Sequence, residues 1–434
     1  MKVTGIIAEY NPFHKGHQYQ IEKLRERFAP DYIVVAMSGD FLQRGTPAFM
    51  DKYSRTQMAL FQGADLVFEL PAYFATASAE TFALGGVLLF HTTGLVDSLA
   101  FGAESDDLPR LSALAQLLSE EPNWYRDALL AGLKGGLSFP AARAKALPKY
   151  SDLLESPNNI LALEYLKSIA AFAPHIAPIL IKREGSGYHS TDINAPLASA
   201  TAIRKSLFSS AVPKELTTAL PEASCQIMTD YQKNASFLQE DDFSLLLHHT
   251  LLQESPESLL QYADMTTALA NRLCQQRNSF LSWSDFCQLC DTRDITYTRV
   301  SRALTHLLLN IRRETLTPYT HKSGEISTQS QTACTASSSM GTPLCTGRPA
   351  ADSLPYLRIL GFRESAAPLL RSLKASAKAP LITNPSAAGQ QLSPGGLAML
   401  NTDIYASDLY RSVLTAKTGR LYPNEYQRKL LVCR

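Results

Sequence analysis

The alternation of short apolar runs with amphipathic segments over residues 2–105 constrains this chain more than any other feature. "KVTGIIAEY" (2–10), "DYIVVAMSG" (31–39), "ADLVFELP" (64–71) and "VDSLAFGAES" (96–105) each carry an apolar run of strand length. Between them, 16–28, 51–63 and 78–94 space their apolar residues for a helix, as in Tyr19, Ile21, Leu24 and Phe28. Strands joined through helices lie parallel, with helices covering both faces. A fifth strand is expected at "HIAPILIKR" (175–183). The reading is an α/β fold built on a parallel sheet.

Helical patterns dominate after about residue 205, at 241–253, 266–278 and 299–313. Residues 321–352 are rich in Ser, Thr, Gly and Pro and nearly lack large apolar residues. Such a stretch buries too little surface to offset its ordering entropy, so it reads as a flexible insertion or linker. Four regions follow: a catalytic domain at 1–210, a helical domain at 211–320, the linker at 321–352, and a C-terminal region at 353–434.

The whole chain has a formal net charge of +1, which excludes a uniformly basic or acidic protein. Residues 346–434, however, carry 12 Lys and Arg against 5 Asp and Glu. That stretch, with Tyr405, Tyr410, Tyr422 and Tyr426 among its cations, is a candidate RNA surface. The apolar runs fall short of the about 18 residues needed to cross a bilayer, and the N-terminus lacks a signal-peptide pattern. A cytoplasmic protein without membrane association is expected. The 7 cysteines are spread widely, against a disulfide framework. Cys287 and Cys290 form one C-x-x-C, read as two small apolar residues on a helix face.

The junction after the first strand reads "NPFHKGH" (11–17). In an open parallel sheet, ligands bind beyond the carboxyl ends of the strands, where the next helix begins. Unpaired backbone N–H groups and the helix dipole favour an anion there. Pro12 restricts the turn, and Gly16 allows close backbone approach. His14 and His17, one helical turn apart, can face one phosphate group. Imidazoles donate hydrogen bonds to phosphate oxygens and, when protonated, stabilise developing charge. The position favours phosphate handling; metal ligation and a structural role are the alternatives, although two His alone make an incomplete zinc set.

"NPFHKGH" resembles the H-x-G-H signature of the nucleotidyltransferase superfamily. "LASATAIRK" (197–205) resembles that superfamily's second motif, with Ser199, Thr201 and Arg204 at its hydroxyl and guanidinium positions and Ala200 where many members have Ser. Hydroxyls there would cap a helix facing phosphate, and Arg204 would clamp leaving-group oxygens. "GIIAEYNPFHKGHQYQ", "MSGDFLQRGTPAFMDKYSR" (37–55), "FGAES" (101–105), "SPNNILALEYLK" (156–167) and "IKREGSGYH" (181–189) are together similar to the bacterial tRNA(Met) cytidine acetate ligases.

The resemblance implies a Rossmann-like nucleotidyltransferase (HUP-type) sheet with helices on both faces, followed by a mainly helical C-terminal region. It implies a ligase that activates acetate with ATP and Mg²⁺ as acetyl-adenylate. The acetyl group then passes to the wobble cytidine of elongator tRNA(Met), giving N4-acetylcytidine, AMP and pyrophosphate. No obligate protein partner is expected. The alternative is an adenylyltransferase for a small nucleotide or cofactor precursor. His14, His17 and Arg204 would be catalytic. The ATP-lining segment falls on Ile7, Ala8, Glu9, Tyr10, Asn11, Pro12, Phe13, His14, Lys15, Gly16, His17, Gln18, Tyr19 and Gln20. Gly102, Asn158, Asn159, Arg183, Ser199 and Thr201 complete the set, Asn159 being the preferred contact of the two asparagines. Asp40, Gln43 and Arg44 are expected at the same sheet edge.

Overall fold

The computed structural model describes residues 1–183, 199–209, 216–320 and 351–434. The expected strands form β1 (Val3–Ala8), β2 (Tyr32–Ser38), β3 (Leu66–Leu70), β4 (Ser98–Ala103) and β5 (Ala177–Lys182). They pair in parallel in the order β5-β4-β1-β2-β3. The connections run from β1 outward through β2 to β3, then return to its other side at β4. The crevice between β1 and β4, at their carboxyl ends, is therefore the switch point where such sheets bind ligands.

Alternate residues of each strand feed two cores, as the two-residue period of a strand requires. Val34, Ala36, Phe68, Leu99 and Phe101 pack with helices Ala79–Thr93 and Pro157–Phe172 on one face. Ile33, Val35, Met37, Val67 and Ile179 pack on the other with α1 (Lys15–Phe28) and α2 (Lys52–Phe61). Each buried branched side chain contributes roughly 1.5–3 kcal/mol, so both helical layers are held mainly by apolar burial.

The C-terminal residues extend this sheet. β6 (Leu357–Arg363) lies antiparallel to β3, while β7 (Leu381–Ile382) and β8 (Leu431–Cys433) pair with β6. Part of the basic charge of this stretch is interior. Arg358 is buried with Lys52, Glu69 and Glu425, and Tyr410 is also buried, its hydroxyl donating to the Ala48 carbonyl at 2.9 Å. Of the four tyrosines of this stretch, Tyr405 and Tyr426 are exposed, at 46% and 48%, and Tyr422 is half-buried. Four charges of alternating sign thus join the two ends of the chain in one low-dielectric cluster.

The helical patterns after residue 205 become Ser244–Leu252, Thr267–Gln276 and Tyr297–Leu308, the last ending earlier than expected because the chain turns at Asn310, with φ 53°. Cys287 and Cys290 are fully buried on one helix, and burial pushes both thiols up, Cys290 to about 11. Thiols held protonated in an apolar core are inert packing groups. Most of the expected linker, 321–350, and residues 184–189 of the "IKREGSGYH" segment lie outside the described residues.

Candidate active site

α1 starts where it does because His14 caps it. The extended backbone of His14 turns its ring back, and Nδ1 accepts the N–H of Gly16 at 3.1 Å. Reciprocally, Nδ1 of His17 accepts the N–H of His14 at 3.2 Å. Two donors at the helix start are thereby satisfied by imidazole nitrogens. The rings stack with centroids 3.7 Å apart and planes 18° from parallel. A Cβ on Gly16 would lie 2.9 Å from Cε1 of His14, so the glycine makes room for that ring.

This geometry determines the tautomers. With both Nδ1 atoms accepting, a neutral ring carries its proton on Nε2. Burial, then the positive charges of Arg183 and Arg204, lowers the His14 pKa to about 3. Burial, His14 and Arg183 likewise hold His17 well below the usual imidazole range. Without a bound anion, the pair is thus neutral and offers two Nε2–H donors. Protonation, part of the expectation from sequence, is opposed first by burial and then by the neighbouring positive charges.

The second motif comes to the same place. Ser199 Oγ accepts the N–H of Ala202 at 3.1 Å and so caps the helix Ala200–Ser209. Nη1 of Arg204 donates to the carbonyl of Asn11 at 2.7 Å, and Nη2 to Thr201 Oγ1 at 3.3 Å. Arg183, exposed just after β5, donates its backbone N–H to Ala103 at 2.9 Å. A Cβ at Gly102 would come within 3.2 Å of Arg183 Cγ, so this glycine admits the arginine stem. Two helix N-termini, two imidazoles and two guanidiniums converge: the means to hold a polyphosphate.

The other expected residues occupy varied settings. Tyr10, Asn11, Pro12 and Phe13 are buried; Tyr10, with φ 47°, and Phe13 support the His17 ring. Ile7 packs against Gly86, where a Cβ would fall 2.3 Å away. Ala8, Lys15, Tyr19 and Gln20 are half-buried along the strand end and helix. Gln18 lines a lateral groove with Glu22, Arg25 and Phe61. Glu9 accepts the Gln43 N–H at 2.9 Å. Asn159 is buried and its Oδ1 accepts the N–H groups of Glu104 and Ser105, both at 3.0 Å; Asn158 is half-buried beside it. Asp40 is buried and receives the Lys52 N–H and the Ser407 hydroxyl, both at 2.8 Å, a junction within the fold.

Sequence reasoning missed Arg55. It is fully buried and donates to the carbonyls of Glu9 at 2.6 Å, Ser38 at 3.1 Å and Met50 at 3.0 Å, and also to Gly39. It thereby fixes the ends of β1 and β2 beneath the histidine turn. A signal existed: Lys52, Arg55, Thr56 and Ala59 fall on one helical face, so two cations occupy an inward stripe.

A parallel sheet with its switch point at an H-x-G-H helix start defines a nucleotidyltransferase-type fold. The model of the HIGH Nucleotidyl Transferase family matches residues 1–329. A tRNA(Met) cytidine acetate ligase of Thermoanaerobacter sp. (strain X514) is 35% identical over 417 residues, 94% of this chain and 95% of that protein. The Acetivibrio thermocellus protein of the same name is 32% identical over 443 residues, covering 100% of both. The crystal structure of apo Thermotoga maritima TmcAL superposes with a TM-score of 0.87 at 28% identity over 100% of both chains. The same protein bound with alpha-thio ATP gives 0.84 at 28% identity, again over 100% of both. The chain belongs to the tRNA(Met) cytidine acetate ligase family.

Proposed function

We propose that this chain activates acetate with ATP and acetylates the wobble cytidine of elongator tRNA(Met). In the first step an acetate oxygen attacks the α-phosphorus of ATP. The bond to the bridging oxygen breaks, and pyrophosphate leaves with that electron pair. In the second step the cytidine N4 amine attacks the acetyl carbonyl. The bond to the phosphate oxygen breaks, AMP departs, and the amine loses one proton.

The observation that carries the reading is the stacked, neutral His14–His17 pair at the switch point. Its two Nε2–H groups would donate to phosphate oxygens as negative charge grows on pyrophosphate. Arg204 and the Ser199-capped helix would take the far end of the triphosphate, and Arg183 would add charge from β5. Positioning and electrostatics supply most of the rate in such phosphorus chemistry. The implied Mg²⁺ would be carried in by the nucleotide's own phosphates. Mg²⁺ so bound would neutralise phosphate charge. The accessible part of the basic C-terminal region, with Tyr405 and Tyr426, would contribute to holding RNA.

The test is ATP–pyrophosphate exchange with and without acetate, followed by acetyl transfer to tRNA(Met) transcript. Exchange should require acetate, and transfer should require the wobble cytidine. Exchange indifferent to acetate but stimulated by a nucleotide precursor would replace this reading with a small-molecule adenylyltransferase.

A further inference from the structure

Residues 104–105, just past β4, and the start of the helix Pro157–Phe172 hold each other by a reciprocal clasp. Asn159 Oδ1 accepts two backbone N–H groups from the loop, at 3.0 Å each. In return, Glu104 Oε2 accepts the Asn159 N–H at 3.1 Å, and Glu104 Oε1 accepts Nδ2–H of Asn158 at 2.6 Å. This clasp lies on the β4 side of the crevice, across from the histidine turn on β1.

Two consequences follow. Glu104 already occupies a backbone N–H of this helix start and adds a negative charge, so this helix start disfavours phosphate. The uncharged end of a nucleotide belongs here. Second, the Asn158 amide has a defined sense. A carboxylate can only accept, so the NH₂ group faces Glu104 and the acceptor Oδ1 is left over. Asn158 is half-buried, so its amide is not sealed from solvent.

We infer that Glu104 is a specificity-positioning residue: it holds Asn158 so that the crevice presents a hydrogen-bond acceptor to the base, selecting a 6-amino purine over a 6-oxo purine. Adenine offers an N6–H donor to that oxygen. A 6-oxo purine would set two acceptors against each other, leaving both unpaired. The inference rests on the reading of this crevice as an ATP site.

Binding of ATP, ITP and N6,N6-dimethyl-ATP to the full chain is measured by calorimetry, alongside acetate-dependent exchange. Wild type should bind ATP roughly ten- to hundredfold more tightly than either analogue. Glu104→Gln can donate to Asn158 Oδ1 and so lets the amide turn over; it should reduce the ATP/ITP ratio several-fold, while Glu104→Asp retains most of it. A structural defect alone would weaken all three nucleotides equally and leave the ratio unchanged. Equal binding of ATP and ITP by wild type overturns the inference, and that result needs no variant to fold. An unchanged ratio in Glu104→Gln also overturns it. ATP-selective binding without acetate-dependent exchange would instead remove the proposed function and leave the selection intact.

Discussion

Nη1 of Arg204 lies 2.7 Å from the carbonyl oxygen of Asn11, so the helix Ala200–Ser209 is fastened to the turn that begins α1. One side chain therefore both positions two helix starts and supplies charge. Lysine retains the charge but lacks the planar fork that can donate to Asn11 and a phosphate together. Arg204→Lys should lower kcat/KM for ATP in acetate-dependent exchange roughly ten- to hundredfold. A variant within twofold of wild type would remove the fork from the mechanism.

In the proposed site the two histidines divide their nitrogens, Nδ1 capping the helix and Nε2 left for phosphate. Asparagine places an amide oxygen near the Nδ1 position but has nothing at Nε2. His17→Asn should keep the helix start, read by circular dichroism. Its exchange rate should fall by about 10²–10³, the usual effect of removing one donor to a developing anion. Near-normal exchange would show that His17 serves only α1.

His14 also sets a pH dependence. Its folded pKa is about 3, below the roughly 6.5 of the unfolded chain. The unfolded state then binds the proton first, so the contribution to stability is full above pH 6.5 and is lost as pH falls toward 3. The slope should approach about 1.4 kcal/mol per pH unit in that window. Urea unfolding of wild type and His14→Asn at pH 7.5, 6 and 5 isolates it. The wild-type advantage should shrink with acidity; a constant difference would mean that the ring titrates normally.

The first five strands and both helix starts were legible because they depend on local order. Residues 31–39 alternate Ile33, Val35 and Met37 with Val34 and Ala36, and both sets are apolar, as a strand covered on both faces requires. The H-x-G-H spacing likewise specified a helix start. The C-terminal strands were not legible, since β6 is chosen by pairing with β3 almost 300 residues earlier and β7 has two residues. Nor was the role of Glu104, whose partners lie 54–55 positions away. Residue type says that a glutamate can accept; only the fold says from whom.

The buried ion cluster should be the most sensitive link between the chain ends. Lys52 Nζ lies 2.6 Å from Glu69 and 3.1 Å from Glu425, with Arg358 Nε 3.1 Å from Glu69. Burial opposes the charge on Lys52, but Glu425 and Glu69 more than offset this and hold it protonated. Glu425→Ala leaves two buried cations with one carboxylate and should destabilise the protein by about 3–5 kcal/mol in urea unfolding. A loss below about 1 kcal/mol would mean that water enters and solvates the cluster.

Gly45 connects packing to the site. It sits at φ +70°, and a Cβ there would lie 2.4 Å from the Cα and N of Arg302. Its carbonyl accepts the Ser301 hydroxyl at 2.5 Å, so the loop 40–48 is pressed onto the helix Tyr297–Leu308. That loop carries Gln43, whose N–H reaches Glu9 at the end of β1. Gly45→Ala combines left-handed strain with a backbone clash and should cost about 2–4 kcal/mol. Gly136→Ala is the control, because Gly136 has φ +80° but nothing within 4 Å of the added Cβ. It should show only the conformational part, about 1–2 kcal/mol, with ATP affinity unchanged. Gly45→Ala should also weaken ATP binding, since Gln43 must move with the loop. Equal stability losses in the two variants would show that the helix yields to the loop and that the contact does not hold Gln43 in place.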